Sequence, residues 1–146
     1  MLKIISHSEK QTFNFGKKLA QKLKGGEVMA LIGELGAGKT VLIKGIAAGL
    51  GIKKTITSPT FVLMKLYKIR NPKSEIRNLL HVDAYRLSSG QDLINIGLMD
   101  WLGKSDTVTV IEWADRVKEI LPKKTIFVKI KMGKKKIERI INILQQ

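Results

Sequence analysis

An α/β fold, with a sheet of mixed parallel and antiparallel strands flanked by helices, is what this 146-residue sequence predicts. Three observations carry the reading. Short apolar runs of strand length alternate with segments of helical period. One strand-to-helix junction, Gly33 to Thr40, is rich in glycine. Near the C-terminus two apolar-alternating runs flank Gly133, the pattern of a hairpin. A chain of this length supports one real core, so one domain over residues 1–146 is expected.

The elements follow in order. Residues 2–5 read as a short strand. Ser8, Glu9, Lys10 and Gln11 form a capping box that opens a helix to about residue 23, with Phe15, Leu19 and Leu23 at helical spacing. Lys24, Gly25 and Gly26 end it. Residues 28–32 are an apolar run that reads as a buried strand, and residues 41–50 read as a helix ended near Gly49 or Gly51. Residues 60–67 look like a strand, preceded by a loop at Thr57, Ser58 and Pro59. The turn at 71–74 sends the next strand, residues 79–82, back antiparallel. Ser88 and Ser89 are placed to cap a helix over residues 91–98. Residues 107–111 read as a buried strand, and residues 125–131 and 137–144 as two strands closed at Gly133.

The junction between the second strand and its helix carries the clearest chemistry. Gly33, Glu34, Leu35, Gly36, Ala37, Gly38, Lys39 and Thr40 match G-x-x-x-x-G-K-[ST] without a mismatch. Glycine lets the backbone wrap a polyphosphate with its N–H groups inward. Lys39 reaches the β- and γ-phosphates, and the Thr40 hydroxyl is a ligand for Mg²⁺. The helix N-terminus adds its partial positive charge. The fold expected is therefore P-loop NTPase-like, with a nucleoside triphosphate and Mg²⁺ as ligands. The competing reading is a plain glycine-rich turn.

Such a loop needs an acid near Mg²⁺, usually at the end of a neighbouring strand. Asp83 and Glu112 each stand at the exit of an apolar strand, where ligands bind on open α/β sheets. The alternative for each is a strand-end acid capping a turn. For Glu112 the functional reading is preferred, because an apolar strand is a costly place for a carboxylate without a cation. His81 alternates with Asp83 and shares its face; a lone histidine reads as structural. Arg86 is near enough to pair with Asp83 or to reach a phosphate. Trp113 reads as a core residue or as a stacking platform. Ser58, Pro59 and Thr60 read equally as a γ-phosphate sensor and as the start of a strand.

Composition narrows the classes. The absence of cysteine excludes disulfides, thiolate metal sites and thiol catalysis. No apolar run approaches the roughly 20 residues of a membrane span, and residues 1–7 lack the apolar stretch of a signal peptide. A cytoplasmic protein with no membrane partner is expected. The net charge of +15 admits a nucleic-acid partner. Between Lys118 and Arg139 basic residues outnumber acidic ones nine to two, yet Lys134, Lys135 and Lys136 also read as a solvated hairpin turn.

The loop, then Ser58-Pro59-Thr60-Phe61, then His81-Val82-Asp83-Ala84-Tyr85-Arg86-Leu87, then Ile111-Glu112-Trp113 occur in that order. Together they closely resemble the TsaE (also called YjeE) family of small P-loop ATPases, over nearly the whole chain. The resemblance implies an Mg²⁺-dependent ATP hydrolase that supports threonylcarbamoyladenosine (t6A) formation on tRNA as an accessory subunit of the TsaD–TsaB pair, slow alone and activated by its partners. By the same resemblance Lys39 and the loop amides, through that of Val41, hold ATP. Thr40 and Glu112 hold Mg²⁺, and Asp83 is the second functional acid. The adenine pocket falls at Glu9 and the Gly133 turn. The chain departs from the family in three places: Glu34 stands for the usual Asp, Val41 for a second Thr, and Ala114-Asp115 for the commoner Pro-Glu after Trp113. Val41 implies altered nucleotide contacts rather than their loss. A small-molecule or nucleoside kinase, disfavoured by the short chain, and a basic RNA-binding module with a structural nucleotide are the alternatives.

Overall fold

In the computed structural model, which describes residues 1–59 and 61–145, strands from both ends of the chain join one sheet. The strands are β1 (Leu2–Ser6), β2 (Val28–Ile32), β3 (Met64–Lys68), β4 (Asn78–Asp83), β5 (Thr107–Glu112), β6 (Ile126–Met132) and β7 (Arg139–Gln145). Their order across the sheet is β1-β7-β6-β2-β5-β4-β3. The inner strands β6, β2, β5 and β4 are parallel, while β7, β1 and β3 join antiparallel. The expected mixed sheet is therefore observed, with the glycine loop after its central strand β2. That strand is buried on both faces, as its unbroken apolar run requires. Met29 and Leu31 enter one core with Leu42, Ile43 and Ile46, and Val28 and Ala30 enter another with Ile111, Ala114 and Val117.

Two helices cover the first face. Helix α1 (Glu9–Ala20) starts at Ser8, whose Oγ accepts from the Gln11 amide at 3.1 Å. The Gln11 side chain reaches back to the His7 amide at 2.8 Å, one residue earlier than in a standard capping box. Its last predicted turn is looser: Leu23 bonds Ala20, three residues back, as the chain enters Gly25 and Gly26, both at positive φ. Helix α2 (Lys39–Gly49) begins two residues before the predicted start, directly at the end of the loop. It ends as expected, with the amides of Gly51 and Ile52 returning to the carbonyls of Ala48 and Ala47 around Gly51 at φ 87°. The two helices pack backbone to backbone. A Cβ on Gly45 would stand 2.1 Å from the Phe13 carbonyl oxygen, and one on Gly16 would stand 2.6 Å from that of Leu42. This contact fixes α2, and with it the loop, against the sheet.

Other elements differ from expectation. The strand predicted over 60–67 begins only at Met64, because Leu63 takes a left-handed conformation (φ 66°) and the chain turns there. Thr60 lies outside the described residues. The predicted helix over 91–98 is α3 (Gln91–Asn95), broken by Gly97 (φ 94°) into a separate turn at Leu98–Asp100. Its cap is Gly90 rather than Ser88 or Ser89, and the Gly90 amide donates to the Glu119 carboxylate, which lowers the Glu119 pKa. Among the described residues no helix is long and apolar enough to cross a membrane.

Candidate functional site

The loop's geometry follows from its glycines. Gly36 and Gly38 have φ of 78° and 101°, a backbone only glycine enters without strain. A Cβ on Gly36 would meet nothing within 4 Å, so the backbone there lies open. Ala37, by contrast, is buried in the core and anchors the loop. Gly38 caps α2 without a side-chain bond, so the first amides of the helix face the same space. A cavity of about 660 Å³ opens there, within the size range of small-molecule sites.

The loop and four regular elements bring the expected residues to this cavity. The loop and α2 contribute Leu35, Gly36, Gly38, Lys39, Thr40 and Val41. Strands β4 and β5 contribute Asp83 and Glu112. These two are direct neighbours in the parallel register, so both carboxylates leave the sheet on one face. Glu9 contributes from the start of α1. Gly33 and Glu34 are not in the wall; their carbonyls hold Lys39 instead. Gly133 is not in the wall either. It closes the β6–β7 hairpin by donating to Glu138, and the hairpin reaches the cavity through Lys136, Ile137 and Arg139.

Lys39 is 5% exposed. Its Nζ donates to the carbonyls of Gly33 and, at 2.8 Å, Glu34, and sits 4.3 Å from the centroid of the Trp113 ring. Burial lowers its pKa below the usual lysine range, against the carboxylates of Glu112, Asp83, Asp115 and Glu34, which raise it. Trp113 follows Glu112 in a left-handed conformation (φ 56°), lines the cavity, and packs against Tyr85 at 5.0 Å between ring centroids. It is a platform at the site rather than a fully buried core residue.

The acids are held differently. Asp83 accepts from Ser58 Oγ at 2.6 Å and from the Tyr85 amide at 2.9 Å. Glu112 is 4% exposed and accepts a 2.7 Å bond from the His81 Nε2. His81, read from sequence as structural, thus touches one of the two acids. Arg86 lies over the Phe61 ring at 4.6 Å.

The cavity wall includes residues that sequence reasoning passed over. Thr12 and Ile137 left no local signal. Arg139 is the most consequential: its Nη2 donates to the Gly36 carbonyl at 3.1 Å, and its Nη1 to the carbonyls of Lys136 (2.6 Å) and Glu138 (3.0 Å). It ties the hairpin to the loop across 103 positions of sequence.

Comparison with known proteins finds a family and a fold that match over most of the chain. Residues 6–141 match a family model described as threonylcarbamoyl adenosine biosynthesis protein TsaE. A Treponema pallidum protein named tRNA threonylcarbamoyladenosine biosynthesis protein TsaE is 38% identical over 90% of this chain and 92% of its own length. A Streptomyces coelicolor protein of the same name is 42% identical over 72% of this chain and 69% of its own. The crystal structure of Bacillus subtilis YdiB superposes with a TM-score of 0.80 at 32% identity, covering 99% of this chain and 84% of that one.

Proposed function

The chain belongs to the TsaE family, and on that premise we propose that it is an Mg²⁺-dependent ATP hydrolase serving tRNA threonylcarbamoyladenosine formation. One observation carries the reading: Asp83 and Glu112 end adjacent parallel strands in register and face the cavity that Lys39 and Thr40 enter from the loop. The donor set suits the ligands. Mg²⁺ takes oxygen ligands and is usually bound by one or two carboxylates together with substrate phosphates. Among the described residues no three His, Cys, Asp or Glu side chains gather into a metal cage. Thr40, Glu112 and Asp83 are therefore suited to a cation that arrives with a triphosphate. Once bound, Mg²⁺ supplies neutralisation of the charge that builds on the phosphates.

The chain's own groups do the rest. The open amides from Gly36 to Val41 bind the phosphates, and Lys39 moves from its carbonyl partners to the β- and γ-phosphates. Asp83 and Glu112 place negative charge where the cation and the attacking water must be held. Glu9, Thr12 and the hairpin residues Lys136, Ile137 and Arg139 form the end of the cavity suited to the adenosine. Trp113 and Tyr85 line the cavity, and Phe61, 82% exposed, is open to a partner. The proposed partners are TsaD and TsaB in the cytoplasm, with hydrolysis slow until they engage.

Lys39→Ala tests the assignment. In cells depending on this chain, the variant is expected to lose t6A on tRNA, measured by mass spectrometry of digested tRNA. Full modification would remove ATP hydrolysis from the function. Phosphate transfer to a nucleoside rather than to water would replace it with a kinase.

A further inference from the structure

His81 is fully buried, and its bonding is lopsided. Nε2 lies 2.7 Å from Glu112 Oε2, while Nδ1 is buried with no hydrogen-bond partner among the described residues. A carboxylate has no proton to donate, so the imidazole carries its hydrogen on Nε2 and donates. That leaves a buried ring nitrogen, Nδ1, orphaned, which an apolar side chain of similar bulk would not leave. Filling space alone does not account for histidine at this position; the bond to Glu112 does.

We propose that His81 is the positioning residue of Glu112, fixing one carboxylate oxygen so that the other, Oε1, is held ready for the magnesium ion. The inference rests on the reading of Glu112 as a metal ligand. Glu112 ends β5, and beyond it Trp113 turns the chain through a left-handed conformation. The backbone therefore changes direction at the point where the carboxylate must be steady. His81 comes from the neighbouring strand β4, opposite Val110, and braces that carboxylate from within the sheet layer. Partners of this kind orient metal-ligating groups, and their loss typically weakens metal binding or activity about 10- to 100-fold.

Three full-length variants separate bracing from packing. His81→Gln keeps an N–H donor at similar reach, His81→Asn draws it back by one bond, and His81→Phe removes it. The measurements are the Mn²⁺ affinity of the complex with a non-hydrolysable ATP analogue, the analogue's affinity in EDTA, and the melting temperature. His81→Asn and His81→Phe are expected to weaken Mn²⁺ binding by about tenfold or more, with the affinity in EDTA unchanged and His81→Gln restoring most of the loss. A His81→Asn protein that binds Mn²⁺ as the parent does overturns the proposal, as does a His81→Gln protein no better than His81→Asn. If His81→Phe does not fold, the Gln and Asn pair decides. Glu112→Gln distinguishes the two layers. Unchanged Mn²⁺ affinity there overturns Glu112 as a ligand and this proposal with it. A weakened Glu112→Gln beside an intact His81→Asn overturns only the role of His81.

Discussion

Replacing Arg139 by alanine cuts a side-chain tie between the C-terminal hairpin and the backbone of the glycine loop. The guanidinium makes three bonds to carbonyls, two within the hairpin and one, at 3.1 Å, to Gly36. A hydrogen bond from a charged donor contributes about 1.5–3 kcal/mol, and this half-buried group belongs at the low end. The hairpin bonds stabilise the fold in both free and bound protein, so they largely cancel in binding. The bond to Gly36 is also made in the free protein, so its loss weakens binding through the loop that relaxes without it and must be re-ordered when phosphate arrives, with the worth of the bond as the ceiling. About 1.5 kcal/mol corresponds to about a tenfold weaker affinity. Titration of a fluorescent ADP analogue, at fixed salt and Mg²⁺, reads this directly. Arg139→Lys is expected to behave more like the alanine variant than like the parent, since an ammonium lacks the planar fork that reaches two segments at once. An affinity within about twofold of the parent for Arg139→Ala, below about 0.4 kcal/mol, would refute the reasoning.

Three further outcomes are expected. Gly45→Ala forces a Cβ to 2.1 Å from the Phe13 carbonyl; overpacking costs about 1–3 kcal/mol, only partly offset by the helix preference of alanine, so thermal unfolding should shift down by several degrees, and an unchanged melting temperature would show that α1 and α2 separate freely. Because burial lowers the Lys39 pKa, raising the pH strips its charge earlier than for an exposed lysine; nucleotide affinity in EDTA should fall on the alkaline side, and Lys39→Arg, which stays charged, should flatten that limb. Lys136 lines the cavity whereas Lys134 and Lys135 do not, so Lys136→Glu should weaken ATP binding and the paired reversal of Lys134 and Lys135 should not; if neither reversal weakens tRNA or partner binding, the basic hairpin is a solvated turn.

What could be read from the sequence was what local pattern controls. The loop, β2 and α2 are contiguous, so spacing alone placed Lys39 and Thr40 at a helix N-terminus. Asp83 and Glu112 were legible because each follows an apolar run that ends at a carboxylate. Their being side by side was not, since that depends on the parallel register of β4 and β5. The bond from His81 to Glu112 depends on the same register, which is why a histidine read as structural proved to touch an acid. Arg139 was hidden for a stronger reason: its partner Gly36 lies 103 residues away. The misplaced strand start at residue 60 has a local cause that period analysis does not see, a left-handed Leu63 that interrupts an otherwise strand-like run. The hairpin reaches the cavity through Lys136, Ile137 and Arg139 rather than Gly133, because a glycine at the bend serves the turn while the residues that line the cavity lie three to six positions further on.

Steady-state ATP turnover by the purified chain in Mg²⁺, with and without the TsaD–TsaB pair, tests the central claim most directly. Slow phosphate release alone and a marked rise when the pair is added are expected, with both lost in Lys39→Ala. Equal rates with and without the pair would contradict partner activation, and no release under either condition would contradict ATP hydrolysis itself.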